Sequence, residues 1–539
     1  MDRRGKFYKA IILVLIFCLS ISWYTPVVKA ATMTDIRVGL AKFYKDKPML
    51  KIKTTNISLG YSIQNSFTTE VEFKSLSGFT FQAATGYFYI LNQTFRKYDQ
   101  AMKVVKQIRS LGVECHPVSV YRNYWKVYVG NKKTIEEMNQ VRTALGTKYD
   151  YTYTGPEKDN GHRVLVTGDQ LTFLYDGGVK KAYPQFKPIS ENSYHTRVLD
   201  LGARQYRGRI EIGRYSSQAL TAVNVINIES YLYGVVPGEM ISSWPIQALR
   251  AQAVCSRSYA ISKTTYRTDS NISNGYEIDD TTDNQVYKGY GVETVATNAA
   301  VDFTRGEVIT YQGKVITAFY YSTSGGRTED GANVWNLKAP YLTSVVDEFE
   351  REPEKEPWVI AMPMSEVEFR LSQAGIDVGV VQKVIPEITT ASNRVYSLKI
   401  IGSKNSQVIQ SQKIREVFEL YSTKFEIVKY EDQSDQVHVL SADSTTSVNL
   451  NDCSVMSSDD NVTSLVDTNQ RIYIVKSSNN LTPFIKDSPT NPEVIYFVGL
   501  GFGHGVGMSQ SGAKGLASAG YSYWKIIQYY YKGCRVVKL

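Results

Sequence analysis

An α+β fold is predicted by three features of this 539-residue sequence. Short runs such as Thr69-Glu-Val-Glu-Phe and Arg163-Val-Leu-Val carry strand composition and end at turn-forming residues. Separate segments repeat apolar residues at helical spacing: Ala101, Val104, Val105, Ile108 and Leu111, then Ile135, Met138, Val141 and Leu145. The composition, 43% hydrophobic and 21% charged, is that of a folded chain able to bury a sizeable core. A chain this long holds about two to four domains.

The first 30 residues read as a secretory signal peptide: Arg3, Arg4, Lys6 and Lys9, an apolar run from Ala10 to Leu19, and Val28-Lys29-Ala30 ahead of Ala31. The apolar run is short of the roughly 20 residues a spanning helix needs, and an uncleaved anchor is the alternative. No later stretch is apolar enough to span. The working part is therefore expected outside the cytoplasm, secreted or at the cell surface, with membrane contact only if this segment is retained. The net charge of +9 stays positive once these basic residues are set aside, and it favours anionic surroundings. No basic run is dense enough to argue for nucleic acid. Of five cysteines, Cys18 lies in the signal, and Cys115, Cys255, Cys453 and Cys534 are scattered without metal-ligand spacing. No essential disulfide is expected, and Cys255 suits a buried apolar filler. The 39 tyrosines suit strands and sugar-binding surfaces alike.

Residues 31–85 read as strands, at Asp35-Ile-Arg-Val-Gly-Leu, Leu50-Lys-Ile-Lys and Thr69–Phe73. Within 86–154 the order is strand, helix, strand, strand, helix, strand, a compact ferredoxin-like unit. Its strands are Tyr87-Phe-Tyr-Ile-Leu, His116-Pro-Val-Ser-Val-Tyr, Trp125-Lys-Val-Tyr-Val and Tyr149-Asp-Tyr-Thr-Tyr. A turn-rich linker from Gly155 to His162 returns to a second run of short strands. These lead into Glu229-Ser-Tyr-Leu-Tyr-Gly-Val-Val-Pro-Gly-Glu-Met and a helix opened by Pro245, with Ile246, Leu249 and Ala253 on one face. Ala248, Ala251, Ala253, Cys255 and Ala260 are small enough to let a neighbour approach closely, which predicts a deeply buried helix. Glu239 is expected in a turn set by Pro237-Gly238. There it either becomes partly desolvated, with the raised pKa of a general acid, or remains an exposed turn or cap residue.

Asp279, Asp280 and Asp283 form an acidic run without a calcium loop pattern, and a solvated loop is expected. Ser322, Ser324 and Thr328, around Gly325-Gly326, offer hydroxyls to a ligand. A serine nucleophile fails on context, for no Gly-x-Ser-x-Gly elbow is present. Glu348 to Glu356 is charged and Pro-containing, hence a loop. Residues 358–427 read as mixed strand and helix, and 431–492 as an insertion rich in Ser, Asp and Asn. The alternating glycines of Gly499-Leu-Gly-Phe-Gly-His-Gly-Val-Gly-Met-Ser-Gln lack the Gly-Lys-Ser/Thr ending of a phosphate loop. His504 is read either as facing a cleft or as fixed to backbone, with Ser509 and Gln510 as further cleft candidates.

The segment from Glu229 to Ser262 resembles the signature of the SpoIID/LytB family, through Glu229, Tyr231, Leu232, Gly234, Val235, Glu239, Met240, Ala248–Ala253, Arg257 and Tyr259. Ile36-Arg-Val-Gly-Leu, Tyr206-Arg-Gly, Gln285-Val-Tyr287, the Ser-Gly-Gly segment, Gly503-His-Gly-Val-Gly-Met-Ser-Gln and Tyr530-Tyr-Lys-Gly continue it over 31–85 and 162–539. The resemblance implies a mixed strand and helix catalytic domain acting on peptidoglycan. Its sporulation members are lytic transglycosylases that cut between N-acetylmuramic acid and N-acetylglucosamine and leave a 1,6-anhydro end. It gives Glu239 the acid/base role, and it places Gln285, Tyr287, Ser322, Ser324, Thr328, His504, Ser509 and Gln510 along the substrate. Zinc-binding members carry His and Cys ligands near 276–287, and this sequence has neither there, so no metal and no cofactor are expected. The LytB branch implies the alternative, a non-catalytic enhancer of a wall amidase. A purely structural wall protein leaves the Glu-Met and Gly-His-Gly segments without a purpose. The 86–154 unit resembles a SPOR domain, which binds denuded glycan strands. That implies sugar-facing roles for Tyr87, Tyr89, Trp125 and Tyr128, against the reading in which they pack the sheet.

Overall fold

A computed structural model describes residues 35–429 and 494–539, apart from 64–65, 121–123, 157–160, 179, 190–196, 216–218, 265–274 and 351–356. Between 436 and 485 it describes the backbone of three strand pairs. Residues 1–30, where a signal peptide is expected, and Cys453 lie outside the described residues. The architecture is mixed α and β, with strands and helices in separate layers.

The frame of the molecule is two large sheets over one core. A seven-stranded sheet runs in the order Ile278–Asp279, Asp35–Gly39, Thr221–Asn227, Arg209–Gly213, Gln185–Pro188, Asn56–Ile63, Ser66–Lys74. Thr221–Asn227 is buried along all but its last residue, as a central strand covered on both faces must be. It pairs antiparallel with Asp35–Gly39, Ile36 opposite Ile226, so the first described strand supports the segment that leads to Glu239.

The second sheet has eight strands, in the order Met49–Ile52, Phe79–Ala83, Arg163–Thr167, Thr172–Asp176, Cys115–Val120, Tyr124–Lys132, Tyr87–Leu91, Tyr151–Thr154. The last four, with helices α1 (Tyr98–Arg109) and α2 (Ile135–Leu145), follow the strand and helix order expected for 86–154 and pair antiparallel throughout. They are not a separate bead on a linker. Cys115–Val120 pairs in parallel with Thr172–Asp176, and one sheet runs on into strands from either side of the segment in sequence.

This packing decides the aromatic residues of that unit. Trp125 is fully buried, its ring edge-on to Tyr98 of α1 at 5.0 Å. Tyr89 is buried against Tyr151, and Tyr128 is buried on the opposite face with its hydroxyl donating to Asp176. A buried ring has no face for a sugar, so the sugar-facing expectation is withdrawn for these three. Only Tyr87 stays half-buried, stacked on the exposed Tyr153 at 5.9 Å.

Helices α3 (Ile228–Glu239) and α4 (Ile246–Thr264) follow the central strand. Asn227 caps α3, its side chain accepting the Glu229 N–H. The expected turn at Pro237-Gly238 is instead the last turn of α3, with Pro237 inside the helix and Glu239 its final residue. Pro245 stands just before α4, and Ile246 is exposed, so the expected face begins at Leu249. Ala248, Leu249 and every residue from Ala251 to Ala260 are buried, and α3, α5 (Val295–Phe303) and two carboxy-terminal helices all pack on α4. Small side chains permit that crowding, and Cys255 fills space as expected. Cys115, Cys255 and Cys534 are buried free thiols.

The helix Gly331–Trp335 closes the first half of this layer. The chain then builds a second core from α6 (Met364–Gln373), α7 (Gln412–Phe418), a three-stranded sheet of Val381–Thr389, Val395–Gly402 and Ser406–Gln410, and strands Trp358–Pro363 and Phe425–Lys429. These last two flank Val494–Gly499, which returns the chain to the first core. Arg394 donates to the Ser324 carbonyl at 2.9 Å and Ser411 to that of Asn333 at 2.7 Å, tying the cores together. Helices α8 (Gln510–Ser518) and α9 (Tyr523–Tyr530) complete the layer around α4. Among the described residues no helix is long and apolar enough to cross a membrane.

Candidate active site

Helix α3 is held in place by an ion pair inside the protein. Arg257 on α4 grips Glu229 on α3 through two bonds of 2.9 and 2.7 Å, with both side chains fully buried. The Gly306 N–H at 3.1 Å gives the carboxylate a third donor. Such a pair is stable only when its remaining polar atoms are satisfied, and here Arg257 also donates to the carbonyls of Glu307 and Val301.

The other end of α3 carries Glu239. Two glycines let the 285–289 segment lie directly on the helix. A Cβ at Gly238 would stand 2.4 Å from the Val286 carbonyl oxygen, and one at Gly234 would stand 2.6 Å from the Tyr287 ring. That approach brings the Val286 N–H to Glu239 Oε1 at 2.7 Å. The Tyr320 hydroxyl donates to the same oxygen at 3.2 Å, and Gln510 Nε2, from the first turn of α8, to Oε2 at 3.3 Å. Glu239 keeps some solvent contact while protein packs closely around its carboxyl. Burial pushes its pKa above the ordinary carboxylate value, against the pull of Val286, Gln510 and Tyr320. Its place at the negative end of α3 acts in the same direction as burial. The arrangement suits a carboxyl that gives up a proton and takes one back. Tyr320 is held far above the usual tyrosine range by burial and by Glu239, so it stays a donor.

The expected site residues fall into three groups. Gln510 touches Glu239 directly. Gln285 acts one step away: it is buried and donates to the Tyr320 hydroxyl at 2.9 Å, while Tyr231 donates to it at 3.2 Å. Of the remainder, Tyr287, Ser324, Thr328 and Ser509 are buried and committed to partners within the protein. Tyr287 is buried, its hydroxyl on Asn224 at 2.8 Å. Ser324 accepts the Gly326 N–H inside its own turn, and Thr328 accepts that of Val345, 17 residues further on. Ser509 caps α8 and donates to Glu350 at 2.7 Å. Ser322, half-buried, accepts the Ser511 N–H on its carbonyl.

His504 follows the backbone-bound reading. Its Nδ1 accepts the Val506 N–H at 3.1 Å, which leaves the proton on Nε2 to donate to the Tyr320 carbonyl at 3.0 Å. Burial, then Arg415, pushes its pKa down to about 3, so it is neutral and serves as a strut for the strand that carries Tyr320.

Two residues escaped sequence reasoning. Tyr320 sits in a motif whose serines drew attention, and nothing in the spacing sets it apart from Tyr321. Glu350, in a segment read as a charged loop, accepts the N–H groups of Ser324 and Gly325 at 2.6 and 2.8 Å. It thereby pins the Ser-Gly-Gly turn beside the start of α8. The acidic run also needs correction. Asp280 is buried, accepts the Lys42 N–H and pairs with Arg204 at 3.3 Å, while Asp279 is engaged by Thr281. These carboxylates do not fit a zinc or calcium ion. Among the described residues no cluster of three or more potential ligands occurs.

A two-helix hairpin, locked by a buried Glu–Arg pair, thus presents one raised carboxyl to Gln510 beyond the Gly-rich carboxy-terminal loop. Residues 216–311 match the family model of the stage II sporulation protein SpoIID. The chain is 33% identical over 362 residues to an amidase enhancer of Bacillus subtilis (strain 168), covering 66% of this chain and 47% of that one. It is 27% identical to the stage II sporulation protein D of Bacillus amyloliquefaciens over 58% of this chain and 74% of the relative, and 25% identical to that of Bacillus subtilis (strain 168) over 58% and 76%. The chain belongs to the SpoIID/LytB family. It spans about half the length of the amidase enhancer.

Proposed function

We propose that this chain is an extracellular cell-wall protein that cuts denuded peptidoglycan glycan strands as a lytic transglycosylase. The observation that carries the reading is Glu239: a single carboxyl with raised proton affinity, three donors aimed at it, and some access to solvent. Protonated, it delivers its proton to the oxygen between N-acetylmuramic acid and N-acetylglucosamine, and the bond from that oxygen to the muramyl anomeric carbon breaks. The Glu239 carboxylate, held by Val286, Tyr320 and Gln510, then takes the proton of the muramyl 6-hydroxyl as that oxygen bonds the anomeric carbon. The product is a 1,6-anhydro end, no water is consumed, and the two-carboxylate pair of most glycosidases is not required.

The 86–154 unit, with its ferredoxin-like strand order, is the proposed SPOR-like anchor to such strands, and Tyr87 is its remaining sugar-facing candidate. Holding the strand there raises its effective concentration at Glu239. Residues 1–30 are the proposed export signal. The second reading, a non-catalytic enhancer of a wall amidase, draws support from the relative of that name.

The test is a digest of denuded strands by residues 31–539, analysed by mass spectrometry beside Glu239→Gln. Anhydro-ended products from the parent and none from the folded variant are expected. Products from neither, together with a rise in the rate of an added amidase, would overturn the transglycosylase reading in favour of the enhancer.

A further inference from the structure

Around His504 the molecule carries features that the chemistry of Glu239 leaves unused. Trp335, Tyr421 and Phe502 are 40%, 43% and 41% exposed, beside the buried Trp358 and Tyr321. Each is nonetheless fixed from behind. Trp335 lies on Phe319 at 4.4 Å and on His504 at 4.8 Å. Phe502 stacks on Tyr421 at 5.1 Å and 23°, and Tyr421 rests edge-on against Trp358 at 5.7 Å. Trp358 in turn donates to the Gly501 carbonyl at 3.0 Å. Backbone bonds lock the set: Phe502 and Thr323 exchange two, at 2.9 and 3.1 Å, and the Gly503 N–H donates to the Tyr421 carbonyl at 2.8 Å.

Charge accompanies these rings. Arg394 is buried, donates Nη2 to the Ser324 carbonyl, and leaves Nε and Nη1 unpaired. Arg415, half-buried, donates Nε to the carbonyl of Leu420, the residue before Tyr421, at 3.1 Å. Both guanidinium charges bear on His504, with Arg394 packed against Gly505 beside it and Arg415 bonded at Leu420, next to Tyr421. Neither makes a salt bridge to a carboxylate among the described residues. Burial and Arg394 lower the proton affinity of Arg415 by more than its neighbour Glu416 raises it, and an anion arriving from outside relieves two such adjacent cations. His504, neutral and tied through both nitrogens, adds no charge and keeps Trp335 in place. The region joins the site through Tyr320, whose carbonyl accepts from His504 and whose hydroxyl reaches Glu239.

We propose that these rings and Arg415 form a subsite for an acidic sugar of the glycan strand. Trp335 and the Tyr421–Phe502 pair take the C–H faces of successive rings, and the Arg415 guanidinium takes the carboxylate of a lactyl-substituted hexosamine. The inference rests on the glycan-strand reading of Glu239 and adds to it a reason for preferring strands stripped of peptide, whose lactyl carboxylates are free. The unit that carries Arg415 and Tyr421 thereby acts as a recognition element rather than as a spacer.

The test titrates the full chain carrying Glu239→Gln with two probes: denuded strands, and a chitin oligosaccharide that shares the N-acetylglucosamine backbone but has no lactyl group. Trp335→Ala and Phe502→Ala are expected to weaken both probes, by about three- to tenfold each. Arg415→Gln is expected to weaken the denuded strand about tenfold and leave the chitin oligosaccharide unchanged. Arg415→Lys, which keeps the charge, recovers part of that preference, and melting curves establish that each variant is folded. Normal binding by all the variants, or equal loss of both probes in Arg415→Gln, overturns the subsite. If the unmutated chain still cuts strands in that case, the subsite alone has failed. A folded parent that neither binds nor cuts strands overturns the glycan-strand reading together with the subsite.

Discussion

Replacing Glu229 by glutamine tests what holds the candidate acid in place. The substitution keeps shape and volume and removes one charge from the interior. Arg257 then becomes a buried cation with only neutral acceptors, the new amide oxygen and the carbonyls of Glu307 and Val301. Exposed ion pairs contribute about 0–1 kcal/mol, whereas removing one partner of a buried pair costs about 3–5 kcal/mol. With both side chains at most 1% exposed, the second figure applies. Urea unfolding, followed by amide exchange in peptides from α4, reads the change as a lower midpoint at an unchanged m-value. A companion protein with Glu229→Leu and Arg257→Met replaces the pair by apolar side chains and should regain most of the loss. If Glu229→Gln lowers stability by less than about 1 kcal/mol, the pair does not fasten α3 to α4, and the placement of Glu239 needs another explanation.

Three further outcomes are expected. Glu239 binds its proton more tightly folded than unfolded, so its ionisation weakens the fold as pH rises through its folded pKa. Glu239→Gln should therefore raise the melting temperature at neutral pH, and the gain should vanish as pH falls below the ordinary glutamate range of about 4; a gain that persists in acid would contradict the raised proton affinity. Gly238→Ala inserts a methyl 2.4 Å from a backbone oxygen and must push the 285–287 segment off α3; strand cutting should fall at least tenfold, and unchanged rates would show that the Val286 contact is dispensable. Trp125→Ala should cost about 3–5 kcal/mol of stability, as for other buried aromatics. Its glycan affinity, measured well below its melting point, should match the parent's, and a selective loss of binding would return Trp125 to the sugar face.

The fold class and the deep helix were legible because each rests on local signals. Small residues from Ala248 to Ala260 admit a crowded neighbourhood whatever the rest of the chain does. Glu239 was legible through its motif, although its last-turn position in α3 was not, since Pro237-Gly238 reads as a turn until the 285–289 segment lying against Gly238 is seen. What escaped depends on contacts distant in sequence. Tyr320 matters because a hydroxyl 81 residues from Glu239 points at it, and Glu350 because a turn 25 residues away offers two N–H groups. The aromatic residues of the 86–154 unit failed in the opposite sense. A strand pattern tells which residues share a face, but which face is covered depended on α1 and on the continuation of the sheet.

The pairing of Gln510 with Glu239 spans 271 residues, and the strand that precedes its loop is fixed by strands on both sides. Contacts so distant in sequence form late, because the intervening chain must be gathered first. During synthesis the amino-terminal half emerges first, so Glu239 is made before the donors from Tyr320 and Gln510. A chain organised in this way completes the surroundings of its candidate acid only when its last part has arrived.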